Sequence, residues 1–335
     1  MTDLLSTSAA GLLCDRGAFH VDPWAPVPLA VVTHAHADHA RPGSGAYLCA
    51  EPGAGLLRRR LGPEAVIRGV PYGERVPLGD TVVSFHPAGH ILGSAQVRIE
   101  SDGAVWVVTG DYKRQSDPTC AAFVPVPCGV LITEATFALP IYCWPDPEAV
   151  ARDIVDWWHA NRGAKRASVL FCYALGKAQR ILAMLRAFTG DRVFVHGAVH
   201  GLTEIYRGAG VEMLPTTPVA ETMRGKSFAG ELVLAPEMAI GSTWMRRFGD
   251  HETAFASGWM RVRGNRRRRS FDRGFELSDH ADWPALLRTV EESGARRVLA
   301  THGSSEPLAR YLRESRGLDA GTIATRFSGT EGEDD

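Results

Sequence analysis

The feature that most constrains the fold is a histidine-rich stretch at positions 33–39, which reads Thr-His-Ala-His-Ala-Asp-His. Three imidazoles and one carboxylate follow one another in the pattern H-x-H-x-D-H. The apolar run 29–32 directly precedes them and predicts a buried strand. A strand that ends in clustered imidazoles and a carboxylate places several metal ligands at one edge of a sheet. The stretch therefore predicts a metal site at that edge.

Composition limits the classes of protein that remain. The chain has 335 residues, of which 45% are hydrophobic, and this allows one large domain or two ordinary ones with a substantial core. Its 37 Lys and Arg residues nearly balance its 38 Asp and Glu residues, so net charge gives no sign of a nucleic-acid partner. Any electrostatic signal must be local.

The sequence also indicates the cellular compartment in which the protein is expected. Residues 1–10 lack the basic start and apolar core of a secretory signal, and no apolar run approaches the length of a membrane span. The six cysteines are scattered without a C-x-x-C pair, which favours reduced thiols over disulfides or a cysteine zinc site. We therefore expect a cytoplasmic protein that has no membrane partner.

The pattern of secondary structure changes along the chain. Up to about residue 135 the sequence predicts short strands separated by Gly/Pro turns. From roughly 140 to 270, helices and strands alternate, including a short helix at 202–207, and this predicts a parallel α/β layer. The last part returns to metal-site residue types. The simplest organisation is a β-rich domain made from both ends of the chain and interrupted by an α/β insert.

A site with two metal ions needs about seven protein ligands, and the sequence offers that number. Zinc suits a histidine-rich set, and manganese is the alternative for mixed His and Asp ligands. Four of the seven candidates lie in the stretch 34–39. The other three, His90, Asp111 and His302, each lie beside a glycine in a turn after a predicted strand. The seven candidates are His34, His36, Asp38, His39, His90, Asp111 and His302.

Several of these residues lie in motifs that resemble those of the metallo-β-lactamase superfamily. H-x-H-x-D-H, Gly89-His90 and Gly110-Asp111 look like its second, third and fourth motifs. Asp22, at the end of a predicted strand, resembles the first-motif aspartate that orients the metal site from behind the ligands; Asp15 is the rival for that role. The resemblance implies an α/β (α+β) fold, an αββα sandwich with the site at one edge.

Three further motifs narrow the resemblance to the β-CASP nucleases. Thr133-Glu134-Ala135-Thr136-Phe137 resembles their motif A, Ser278-Asp279-His280-Ala281-Asp282 their motif B, and Thr301-His302-Gly303 their motif C. Together the motifs span nearly the whole chain. They imply a metallo-β-lactamase domain at 1–138 and 272–335, with a β-CASP domain inserted at 139–271.

Carried over residue by residue, the resemblance implies two metal positions bridged by Asp111. The ligands would be His34, His36 and His90 at one position, and Asp38, His39 and His302 at the other. It also implies catalytic roles for Asp38, for His280 as the acid that protonates the departing oxygen, and for Glu134, which would hold His280. The activity implied is hydrolysis of phosphodiester bonds in DNA or RNA.

Contacts to the nucleic-acid backbone have several candidates. The arginine run Arg266, Arg267, Arg268 and Arg269 is either a phosphate contact or a solvated loop. Lys177 follows a glycine at a predicted helix start, where unpaired N–H groups converge. Ser257 and Gly258 are candidates by resemblance. A simple turn or helix cap is the other reading of the last three positions.

The short form of the chain resembles the bacterial group of ligase-associated DNA exonucleases, also labelled mRNA 3′-end processing exonucleases. This implies a metal-dependent exonuclease of single-stranded DNA, linked to DNA repair and functionally associated with a DNA ligase. His302 argues the other way, because histidine in motif C is commoner in RNA-cleaving branches. An RNA-processing ribonuclease is therefore the alternative, and the polarity of cleavage is open.

Two other classes of function also remain. A small-molecule metallohydrolase, acting on a thioester or lactam, would need neither the α/β insert nor Glu134 and His280. A non-catalytic binding subunit would be expected to have lost ligands, and all seven are present here. Both classes are less consistent with the sequence than a nuclease.

Overall fold

The computed structural model describes residues 3–262 and 271–323, which form a mixed α/β structure with three sheets. The chain divides into two compact units, Met1–Cys143 with His280–Asp335, and Trp144–Asp279. Six α-helices lie within the described residues: α1 Ala54–Leu61, α2 Pro147–Gly163, α3 Lys177–Leu185, α4 Gly197–Gly208, α5 Trp283–Ser293 and α6 Ser305–Arg316. None of these helices combines the length and the hydropathy that crossing a bilayer requires.

Nineteen strands are found in the same described ranges. In chain order they are β1 Ser6–Ser8, β2 Gly11–Cys14, β3 Phe19–Val21, β4 Leu29–Val32, β5 Ala46–Ala50, β6 Ile67–Val70, β7 Val76–Leu78, β8 Thr81–Pro87, β9 Ala95–Ser101, β10 Ala104–Val108, β11 Val130–Glu134, β12 Ala167–Phe171, β13 Val193–Val195, β14 Thr216–Pro218, β15 Leu232–Ala235, β16 His251–Ala256, β17 Arg273–Phe275, β18 Arg297–Thr301 and β19 Asp319–Thr322.

The first unit contains two sheets. One has six strands in the order β1-β2-β3-β4-β5-β6, and the other has seven in the order β19-β18-β11-β10-β9-β8-β7. Buried residues of both sheets form one core, in which Val31 and Leu48 of the first sheet pack with Phe85 and Ile99 of the second. The sheets therefore face each other, as expected for strands that alternate apolar and polar residues.

Helices cover the other face of the seven-stranded sheet. Val298 of β18 lies in a second core with Leu286 of α5 and Leu312 of α6. Pro284 occupies the first turn of α5, and Asp282 caps the helix by accepting a hydrogen bond from the Ala285 amide. The end of the chain thus completes the layer that the first 143 residues begin.

The second unit is built on one parallel sheet, in the order β14-β13-β15-β12-β16-β17. Its central strand β12 is buried along its whole length, as the apolar run Ala167–Phe171 requires. Asp146 caps α2, whose apolar side buries Ile154 and Trp158. This unit follows the alternation of helices and strands that the sequence predicts for an α/β insert.

Candidate metal centre

Strand direction brings the candidate ligands of the first unit to one edge. β8 and β10 are both antiparallel to β9, and β10, β11 and β18 are mutually parallel, so β8, β10, β11 and β18 all run the same way. Four residues just beyond or at the ends of these strands therefore meet at the same edge of the sheet. They are His90, Asp111, Glu134 and His302.

Three imidazole nitrogens meet in the first ligand group. Nδ1 of His36 lies 3.0 Å from Nε2 of His34 and 3.1 Å from Nε2 of His90. Two nitrogens bound to one zinc ion in tetrahedral geometry lie roughly 3.3 Å apart, so the spacing fits a shared ion. His34 and His90 are buried, which limits hydration as an alternative way to satisfy these atoms.

Asp111 lies between this group and a second one. Its Oδ2 atom is 3.5 Å from Nε2 of His34 and 3.9 Å from Nε2 of His90. The same oxygen is 3.4 Å from Nε2 of His39. A single carboxylate oxygen is thus within reach of nitrogens from both groups, as a bridging ligand would be.

The second group consists of Asp38, His39 and His302, whose candidate ligand atoms lie within 4.8 Å of one another. Nε2 of His39 is 3.3 Å from Oδ2 of Asp38, and the His39 and His302 rings stack with centroids 5.3 Å apart. Nε2 of His39 is buried and has no hydrogen-bond partner among the described residues. A buried nitrogen of this kind costs free energy unless a ligand uses it, so this group also fits a metal ion.

Asp22 fixes His39 from behind. Its Oδ2 atom accepts a hydrogen bond from Nδ1 of His39 at 2.7 Å and another from the Thr33 hydroxyl at 2.6 Å. Its Oδ1 atom accepts from the Thr33 amide at 2.8 Å. When Nδ1 of His39 carries the proton, Nε2 presents a lone pair, which is the tautomer that a metal ligand needs.

The electrostatics of the site favour a bound cation. Burial, followed by the charge of His39, lowers the pKa of His34 well below its ordinary value, so its imidazole stays neutral. Burial also disfavours charge on His39, but the carboxylates of Asp38, Asp111 and Asp22 outweigh it and raise the pKa of His39 well above its ordinary value. An environment that stabilises a proton on His39 would also stabilise a divalent ion.

A buried acid–imidazole pair adjoins these ligands. Nδ1 of His280 donates to Glu134, at 3.0 Å from Oε2 and 3.2 Å from Oε1. Both side chains are buried, and Nδ1 of His280 is 4.0 Å from Oδ2 of Asp111. His280, which the sequence predicts to act as the acid, is therefore hydrogen-bonded to Glu134, the residue predicted to hold it.

Lys177 is buried beside the carboxylate of Asp279. Its side chain is 2% exposed, with Nζ 3.4 Å from Oδ2 of Asp279 and 4.7 Å from the centre of the Tyr173 ring. Arg180, also buried, donates to Asp279 and to the Ser278 carbonyl oxygen. To reach a phosphate, the Lys177 ammonium would have to leave Asp279, so its role in binding nucleic acid stays a prediction.

The remaining candidate contacts have structural roles or lie outside the described residues. Ser257 caps a short 3-10 helix by accepting from the Trp259 amide at 3.3 Å, and both Ser257 and Gly258 are buried. The run Arg266, Arg267, Arg268 and Arg269 falls in the gap between residues 262 and 271. Its expected contact with phosphates stays a prediction.

Sequence reasoning missed several residues that support the site. Thr33 holds Asp22 through two hydrogen bonds, and Nε of Arg60 donates to the Ala35 carbonyl oxygen at 2.5 Å, inside the ligand stretch. The sequence places Arg60 in an arginine run on a helix, which is typical of a solvated face. Thr33 could have been noticed from its position directly before the motif, whereas nothing in the sequence links Arg60 to the ligand stretch.

Comparisons with known proteins bear on the family. No family model matches the chain. A protein named probable DNA ligase from Opitutus terrae is 34% identical over 316 residues, which cover 93% of this chain and 30% of that protein. Endoribonuclease ysh-1 of Neurospora crassa is 34% identical over 131 residues, covering 37% of this chain and 15% of that protein. An RNase J-like protein of Methanocaldococcus jannaschii is 28% identical over 122 residues, covering 35% and 28%.

The chain thus spans less than a third of the length of each of these relatives. Among solved structures, a protein of unknown function from Enterococcus faecalis matches 90% of this chain and 80% of its own, with a TM-score of 0.58 at 13% identity. That likeness shows a shared fold.

Proposed function

We propose that this chain is a metal-dependent nuclease of the β-CASP family within the metallo-β-lactamase superfamily. The observation that carries the proposal is the meeting of seven potential ligands, with Asp111 between two groups of three, beside the buried pair of His280 and Glu134. The names of the relatives support it, because they include an endoribonuclease and an RNase J-like protein. The proposal includes the αββα sandwich, with its domain at 1–138 and 272–335, and the β-CASP domain at 139–271.

We take single-stranded DNA as the substrate, cleaved exonucleolytically in the cytoplasm as part of DNA repair. Support comes from the relative named probable DNA ligase, whose match covers 93% of this chain and 30% of that protein, and that name also supports functional association with a ligase. RNA is the second candidate. It is favoured by the endoribonuclease and the RNase J-like protein, which match 37% and 35% of the chain.

Each residue of the centre has a distinct task in this proposal. One divalent ion, zinc or manganese, would be held by His34, His36, His90 and Asp111, and a second by Asp38, His39, His302 and Asp111. Ions held there would supply Lewis-acid activation of water and neutralise charge on the phosphate. The protein itself would hold the ligand atoms in one arrangement and disfavour other arrangements around the ions.

Proton transfer belongs to His280. Because Glu134 accepts the Nδ1 proton of His280, Nε2 is the ring nitrogen left to deliver a proton to the departing oxygen. The same carboxylate stabilises the charged imidazole before transfer. His280 thus acts as general acid, and Glu134 positions it.

Product ladders test the proposal. Single-stranded DNA and RNA of one sequence, labelled at either end, are incubated with metal-free protein and then with Zn²⁺ or Mn²⁺. We expect a DNA ladder that starts from one end and requires added metal. Cleavage of RNA with inert DNA would make RNA the substrate, and a folded protein that carries metal but cleaves neither would overturn the proposal.

Variants separate the centre from the rest of the fold. His34→Ala and Asp111→Ala should abolish cleavage while circular dichroism shows a folded chain. His159→Ala is the matched control, because His159 is an exposed residue of α2 in the second unit, and this variant should retain full activity. Normal turnover by folded His34→Ala protein would rule out the assignment of ligands.

A further inference from the structure

A buried ion pair stabilises the loop that follows Asp111. Nζ of Lys113 pairs with Oδ2 of Asp117, and these side chains are 0% and 3% exposed. Oδ1 of Asp117 accepts hydrogen bonds from the Thr119 amide at 2.8 Å and from the Thr119 hydroxyl at 2.6 Å. Neither Lys113 nor Asp117 belongs to the ligand set or to the acid–imidazole pair, so the ion pair requires a separate explanation.

The loop lies directly against the turn that carries His90. The Lys113 amide donates to the Ala88 carbonyl oxygen at 3.1 Å. A Cβ atom added to Gly89 would lie 2.5 Å from the Lys113 carbonyl oxygen, and Gly89 has a φ of +75°. The two main chains therefore approach so closely that a displacement of Lys113 would displace the turn before His90.

Further hydrogen bonds join the same loop to its surroundings. The Tyr112 amide, next to Asp111, donates to Oε1 of Glu134 at 2.7 Å. Further along, the Val124 amide donates to the Pro87 carbonyl oxygen at 3.2 Å, and Nε2 of Gln96 donates to carbonyl oxygens of both Pro87 and Val124. The loop that begins at Asp111 is thus bonded to the His90 turn near both of its ends.

Stability alone is a poor reason for this ion pair. Taking an ammonium and a carboxylate out of water carries a large free-energy cost, and apolar residues of similar volume are often at least as stable. An ion pair whose carboxylate also binds Thr119 does something that apolar side chains cannot, since it specifies one conformation of the loop. In that conformation the loop adjoins both Asp111, where it begins, and the turn that carries His90.

We propose that Lys113 and Asp117 are positioning residues for the metal ligands His90 and Asp111. By fixing the loop, the pair holds Nε2 of His90 and Oδ2 of Asp111 at a separation, 3.9 Å, from which both can reach one ion. The inference rests on the proposed function, because it takes the two-ion centre as given. It predicts that the ion held with His90 depends on the pair more than the ion held by Asp38, His39 and His302.

Titration of metal-free protein with Co²⁺ tests the inference, with visible absorption and metal content as the readouts. The informative variant is the double substitution Lys113→Met with Asp117→Leu, which removes both charges and puts apolar side chains of similar shape in their place. We expect wild type to bind two ions, and the double variant to fold but to bind one of them about 10–100-fold more weakly. DNA cleavage by the variant should recover when Co²⁺ is raised.

Two controls keep the outcome decisive. Val233→Ala, in the core of the second unit, removes apolar volume from a cluster that includes no residue of the loop and should leave both Co²⁺ affinities unchanged. If the double variant does not fold, Asp117→Asn, which keeps an acceptor oxygen for Thr119, should show a smaller loss in the same direction. Two Co²⁺ ions bound as tightly by a folded pair variant as by wild type would overturn the inference alone, whereas wild type that binds no Co²⁺ would overturn the proposed function as well.

Discussion

At the scale of single residues, the centre depends on the residues that hold the ligands as much as on the ligands. The sequence offers Asp22 and Asp15 as rivals for the aspartate behind the metal site. The structure puts Asp22 against His39 and Thr33, while Asp15 is an exposed residue at the start of a 3-10 helix. This geometry is consistent with the strand-end position of Asp22, whose role behind a metal ion stays a prediction, and the sequence did not indicate the part of Thr33.

Asp22→Asn should weaken metal binding about 10–100-fold. Both carboxylate oxygens of Asp22 accept hydrogen bonds, whereas asparagine offers one acceptor oxygen, so either His39 or Thr33 loses its partner. Competition with a chromophoric chelator measures the change. The matched substitution Asp15→Asn should leave affinity unchanged, and the opposite ranking would assign the role to Asp15.

Glu134→Gln should lower kcat for DNA cleavage roughly 10²–10⁴-fold with little change in bound metal. One acceptor oxygen must then serve both the Tyr112 amide, which in the wild type bonds Oε1, and Nδ1 of His280, which lies nearest Oε2. If His280 is the general acid, the loss should shrink for a phosphodiester with a good leaving group such as p-nitrophenolate. An equal loss on both substrates would argue against proton donation.

At the scale of elements, the sequence predicted most strands of the first unit that carry ligands. It placed His90, Asp111 and His302 in turns after strands, and β8, β10 and β18 end just before them. It could not predict that β11 pairs with both β10 and β18, because β18 begins more than 160 residues after Val130 and strand pairing leaves little trace in local sequence. That pairing is what brings the ligand-bearing turns to one edge.

The start of the short helix predicted at 202–207 was placed too late in the sequence. In the structure α4 begins at Gly197, five residues earlier, and runs to Gly208. Its N-cap is His196, whose side chain accepts from the Ala198 amide at 3.1 Å. Histidine is outside the Ser, Thr, Asp and Asn residues by which helix starts are usually recognised, so position 196 carries no recognisable start signal.

Gly303→Ala should displace His302. Both residues have positive φ, and a Cβ atom at Gly303 would lie 2.5 Å from Cα of Thr136. Gly317→Ala is the matched control, because Gly317 also has positive φ but a Cβ atom there meets nothing within 4 Å. Chemical unfolding should show a cost of about 1 kcal/mol for the control and a larger one for Gly303→Ala.

Metal content completes that comparison. The Gly317→Ala protein should keep two ions, while Gly303→Ala should lose the ion that His302 helps to hold. Equal metal content in the two variants would mean that the turn after β18 does not need its close approach to Thr136.

At the scale of the whole molecule, the centre joins the two ends of the chain. Residues 34–39 follow β4, and His302 follows β18, yet both lie in one compact unit. The sequence predicted this organisation from the return of metal-site residue types after the α/β insert. It did not reveal the burial of Lys177 against Asp279, because an ion pair that is distant in sequence has no local signature.

Metal removal should therefore lower the stability of the folded chain. Ions that bind the folded state and not the unfolded one stabilise it by about 2.7 kcal/mol at a concentration 100 times the Kd, which corresponds to roughly 5–10 °C in Tm. Calorimetry of metal-free protein with and without Zn²⁺ measures this shift. In His302→Ala the shift should be smaller, and an unchanged shift would place the ion elsewhere.

Anomalous scattering from crystals of the metal-loaded protein would show whether two ions share Asp111. We expect two anomalous peaks about 3.5–4 Å apart. One should lie among His34, His36 and His90, the other among Asp38, His39 and His302, with Asp111 between them. A single peak, or two peaks that do not both contact Asp111, would contradict this expectation.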